Sequence, residues 1–66
     1  MEVDVEKLKE LRINAGLSQR ELATRAGLTP GAVWQVEHRG SGSPATLKKV
    51  ADVLGVRPVD LLKQGG

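Results

Sequence analysis

With 66 residues and 39% hydrophobic side chains, the chain has room for one small domain built on one core, and a second domain is excluded. The absence of cysteine and a single histidine, His38, exclude a structural zinc site and a Cys/His nucleophile pair, and no enzyme or cofactor constellation is expected in so few residues. Ten Lys+Arg against eight Asp+Glu give +2, but Glu2, Asp4, Glu6 and Glu10 hold half of the acid, so residues 11–66 carry eight basic and four acidic side chains. That +4 segment is biased toward polyanions.

The first ten residues, MEVDVEKLKE, are charged where a signal peptide is basic and then apolar, and no apolar run approaches the roughly 18 residues that cross a bilayer. A soluble intracellular protein without a membrane partner is therefore expected. Val5, Leu8, Leu11 and Ala15 recur at helical spacing and predict a first helix with Gly16 as its stop. Residues 1–4 before it are expected to fray. Ser18 and Glu21 form a Ser-x-x-Glu capping box, so a second helix starts there and runs to about Ala26. It turns Leu22, Ala23 and Ala26 inward, and Gly27 supplies the left-handed exit.

Thr29-Pro30 is a cap followed by a first-turn proline and predicts a third helix almost at once. Val33 and Val36 face its core side, whereas Gly31, Trp34, Gln35 and His38 share another face. Residues 39–42, RGSG, break the pattern, and Ser43-Pro44 restarts it. Leu47, Val50, Ala51 and Leu54 are the inward stripe of the fourth helix, which ends at Gly55. Pro58 opens a fifth, short helix with Val59, Leu61 and Leu62, and residues 64–66 are expected to fray.

Two short helices joined through a glycine turn are a helix-turn-helix arrangement, which serves either DNA binding or packing. The residues here go further. LKELR, GLSQRELATRAGLT, VWQVE and VADVLGV stand in this order along the chain. On these segments the chain resembles, from Leu8 to Leu62, the phage lambda repressor/Cro type of helix-turn-helix domain, also called the XRE family, over about five-sixths of its length. The resemblance implies an all-α, five-helix, lambda-repressor-like domain spanning residues 1–66. It further implies a third helix that enters the DNA major groove as part of a dimeric regulator, a repressor, on a palindromic operator.

The resemblance assigns Gln19, with Ser18 and Arg20, to a DNA phosphate at the start of the second helix; a solvated surface is the alternative. Arg25 is read as solvated. Base reading is expected from Thr29, Pro30, Gly31, Trp34 and Gln35, and Gln35 is suited to adenine N6/N7 or else is a surface amide. Pro30 and Gly31 bring no hydrogen-bonding side chain, which leaves more of the readout to DNA shape. Trp34, the only aromatic residue, has three readings: a sugar-phosphate contact, a protein-interface anchor, or partial burial against the following loop. Arg12 and Glu37 are expected to join the first and third helices by a charge-assisted bond, unless both are solvated. His38 and Arg39 reach a phosphate or serve the helix dipole.

The loop EHRGSGSP departs from the family pattern, with its Gly displaced and no Lys or Arg after Arg39, so that Ser41 and the Gly42 backbone are left as substitute phosphate donors. Val56, Val59 and Leu62 are candidates for a homodimer surface or for core. Two functions stand: a sequence-specific regulator of double-stranded DNA, and an antitoxin-like or adaptor module that holds a protein partner, with DNA binding secondary. RNA binding lacks an aromatic platform.

Overall fold

The computed structural model describes residues 2–63, which form four α-helices: α1 (Val5–Asn14), α2 (Gln19–Ala26), α3 (Pro30–Arg39) and α4 (Pro44–Leu54). The expected fraying of 64–66 lies outside the described residues. Among the described residues no helix is long and apolar enough to cross a membrane.

Each helix begins where a short polar side chain can accept a backbone N–H. Asp4, Ser18, Thr29 and Ser43 are the four N-caps, accepting from Lys7, Glu21, Ala32 and Thr46 respectively. Pro30 and Pro44 follow two of these caps in the first turn, where a missing N–H costs nothing. Gly27 ends α2 at φ 69°, ψ 31°, and the next amide, Leu28 N–H, folds back to the Ala23 carbonyl at 2.8 Å. This left-handed exit lets α3 begin after only three residues, and Leu28 tucks partly into the core beside it.

The core is wholly aliphatic. Leu8 from α1, Leu22 and Ala23 from α2, Val33 and Val36 from α3, Leu47, Val50 and Ala51 from α4, with Val3 before α1, Leu17 between α1 and α2 and Leu61 after α4, form one buried cluster. Leu54 and Leu11 pack against it half-buried, whereas Ala15, read as part of the inward stripe, caps α1 and is exposed. Gly42 sits over Val36 and Leu47, and a Cβ there would meet Val36 Cγ2 at 3.1 Å. Its role is therefore close packing.

Two expectations at the ends of the chain are corrected. The fifth helix is a four-residue 3-10 turn, Pro58–Leu61, because Leu62 leaves it in extended conformation to pair with Val3. Residues 2–4 are held rather than frayed. Val3 N–H donates to the Gly40 carbonyl at 2.9 Å, Asp4 N–H to Leu61 at 2.8 Å, and Lys63 N–H to Glu2 at 3.1 Å. The N-terminal segment is thus a strap between the loop after α3 and the C-terminal segment, and buried Val3 pins it.

Candidate nucleic-acid interface

The amphipathic split of α3 creates the site. Val33, Val36 and Glu37 are buried, while Thr29, Pro30, Gly31, Trp34, Gln35, His38 and Arg39 are all exposed. Burying one stripe against α1 and α2 presents the opposite stripe to solvent as a continuous ridge. Ser18 and Arg20 are exposed at the neighbouring start of α2, and Gln19 is half-buried there.

Gln19 is half-buried because it belongs to a polar network. Glu37, 2% exposed, is the buried charged residue among the described residues. Arg12 Nε donates to Glu37 Oε2 at 2.8 Å, Arg12 Nη2 to Oε1 at 3.2 Å, and Gln19 Nε2 to Oε1 at 3.2 Å. Arg12 Nη1 also donates to the Leu17 carbonyl at 2.9 Å. Four donors tie α1, α2 and α3 together, and no buried side-chain polar atom among the described residues lacks a partner. The network fixes how the start of α2 sits relative to the exposed ridge of α3.

Ser18 carries the capping box. Its Oγ accepts from Glu21 N–H at 3.0 Å, and the Glu21 carboxylate accepts from Ser18 N–H at 3.0 Å. These hydrogen bonds to Ser18 favour the ionised acid and hold the Glu21 carboxyl below its ordinary value of 4.5. Since the native value is the lower one, this contribution to stability is present above pH 4.5 and is lost as the pH falls through the native value. Glu21→Gln should therefore flatten the acid limb of a plot of thermal midpoint against pH; an unchanged limb would assign the acid sensitivity to other carboxylates. Asp60 adds a parallel effect, lowered by its bonds to Arg57, first the backbone N–H and then the side chain.

Trp34 is 46% exposed and stacks on His38, with ring centroids 4.0 Å apart and planes 18° from parallel. His38 Nδ1 lies 3.0 Å from the Trp34 carbonyl; because a carbonyl only accepts, Nδ1 donates and Nε2 is the nitrogen left for other partners. The bulky pair is thereby one preformed unit on the ridge. Arg25 is exposed on α2, and Ser41 is exposed opposite Glu2 in the strap. Val59 is 47% exposed, while Val56 and Leu62 are half-buried against the core.

Glu2 and Lys63, which sequence reasoning did not single out, share a hollow with Val3, Val5, His38, Arg39 and Gly40. They stand 61 positions apart, and no local pattern signals that the strap unites them.

A tight α2-turn-α3 hairpin with one face of α3 exposed defines a helix-turn-helix domain. A helix-turn-helix family model matches residues 8–61, and the chain belongs to this lambda-repressor-like helix-turn-helix family. Among solved structures, it is similar to a SinR protein/SinI protein complex, with 31% identity and a TM-score of 0.79 over 91% of this chain and 60% of that one. The clp gene regulator ClgR from C. glutamicum is 31% identical, with a TM-score of 0.68 over 80% of this chain and 70% of that one. A hypothetical transcription factor, NHTF, from Neisseria is 28% identical, with a TM-score of 0.77 over 97% of this chain and 84% of that one. The chain thus spans less than two-thirds of the SinR/SinI chain that it matches.

Proposed function

We propose that the protein is a sequence-specific regulator of transcription, a repressor, that lays α3 in the major groove of double-stranded DNA. The observation that carries this reading is the exposed ridge of α3, with Gln35 beside the Trp34–His38 stack and the start of α2 next to it. Gln35 reads a base edge, and Thr29, Pro30, Gly31 and Trp34 approach the groove with it. Ser18, Gln19, Arg20, His38, Arg39 and Ser41 hold phosphates around this centre, while Arg12 and Glu37 keep the helices in register. The domain acts as a homodimer on a palindromic operator with half-sites about 34 Å apart, and it works in the cytoplasm at the nucleoid.

Selection of bound duplexes from a random library at two salt concentrations tests this reading, because phosphate attraction fades with salt whereas base readout keeps its ranking. Enrichment of an inverted repeat is the expected result; binding without any enriched sequence would overturn it. On the enriched duplex, Gln35→Ala should cost about 1–3 kcal/mol and relax preference at one base pair. Gln19→Ala should instead weaken all sequences nearly equally. Equal loss of discrimination in both variants would refute this division of labour.

A second reading has specific support in the likeness to a structure of two proteins in complex. Ile13, 64% exposed, and Val59 offer apolar contacts to a protein partner. On that reading the domain is an antitoxin-like or adaptor module with secondary DNA binding.

A further inference from the structure

The loop after α3 carries no Lys or Arg beyond Arg39, and the fold brings a lysine beside Gly40 from far along the sequence. The strap lays Lys63 beside Glu2, with Nζ 3.5 Å from Glu2 Oε2, and both side chains are well exposed. His38 and Arg39 line the same hollow. Arg39 has no ion-pair partner among the described residues, so the hollow holds two full cations against one carboxylate, together with an imidazole whose Nδ1 is already committed to Trp34. His38 and Arg39, at the end of α3, belong both to this hollow and to the exposed ridge.

We propose that this hollow is a phosphate site for the DNA backbone flanking the bases under α3, with Lys63 and Arg39 as its cations and Glu2 as the resident counter-ion. The proposal rests on the DNA-binding reading and adds two residues to it. A phosphate arriving at Lys63 takes the place of the Glu2 carboxylate, so Lys63 and Glu2 act with opposite sign. Lys63 supplies attraction, whereas Glu2 restrains affinity by occupying the cation first. The backbone bonds of the strap, Lys63 N–H to Glu2 and Val3 N–H to Gly40, hold the walls and do not depend on either side-chain charge.

The test is anisotropy titration of a labelled enriched duplex and a labelled scrambled duplex across a salt series, with the intact chain and four variants. Lys63→Gln should lower affinity for both duplexes and reduce the slope of log affinity against log salt by about 0.9, the share of one phosphate contact. Glu2→Gln should raise affinity about two- to fivefold, the range of one exposed charge contact. Lys48→Gln and Asp52→Asn, at an exposed ion pair of 3.1 Å on α4, report the long-range effect of one unit of charge. Opposed effects at 63 and 2 that exceed these controls support the site. Effects equal to the controls, or of one sign at both positions, overturn it and leave Glu2–Lys63 a tie between the chain ends. Preference of the unaltered chain for the enriched duplex reports the DNA-binding reading separately. If that chain bound neither duplex, both the reading and the phosphate site would fall.

Discussion

Replacing Arg12 by methionine should destabilise the domain by about 3–5 kcal/mol, the usual cost of leaving one member of a buried ion pair without its partner. Glu37 keeps its carboxylate among aliphatic side chains, and only Gln19 Nε2 at 3.2 Å would remain to bond it. A domain of this size is commonly stable by roughly 3–10 kcal/mol, so the loss removes a large share of its margin and should move the urea midpoint far toward zero denaturant. Urea titration followed by far-UV circular dichroism measures the loss. Arg12→Met/Glu37→Leu should recover most of it, since removing both charges leaves no stranded ion. A double variant as unstable as Arg12→Met would show that lost packing, not the unpaired carboxylate, sets the cost.

Leu22→Ala should follow closely, at about 2–5 kcal/mol, the range for truncating a fully buried leucine. Leu22 is 0% exposed in the central cluster, where no aromatic ring is available to move into the space. Ile13→Ala is the contrast: the side chain is 64% exposed, and its truncation should change stability by less than about 0.5 kcal/mol. The same urea titration reads both. Similar losses in the two variants would mean that Ile13 is covered in solution, which would favour the reading in which this side of the domain meets a partner.

The helices were legible because their punctuation is local. Ser18 with Glu21, Thr29 with Pro30 and Ser43 with Pro44 each announce a helix start within four residues, and all three lie where the structure places an N-cap. Val33 and Val36 were legible as the inner stripe of α3, and the outer stripe followed from them. The strap was not legible. Val3 stands in an acidic run without periodicity, and its burial depends on Gly40 and Leu62, far along the chain. The same pairing pulls Leu62 into extended backbone and cuts the expected fifth helix to one turn. The Trp34–His38 stack has i, i+4 spacing that places both on one face, but that the rings stack depends on side-chain rotamers that spacing does not specify. The reach of Gln19 to Glu37, 18 positions away, likewise depends on how α2 crosses α3.

With one tryptophan and neither tyrosine nor phenylalanine, the protein holds a single strong near-ultraviolet chromophore, and it stands on the outer ridge of α3, outside the aliphatic core. Indole emission therefore tracks the imidazole stacked on it and whatever docks against α3. Loosening of the interior registers only when α3 itself melts. Helix content in the far ultraviolet and emission from Trp34 are two separate optical channels, one for the integrity of the fold and one for its outer face, and neither needs an attached label.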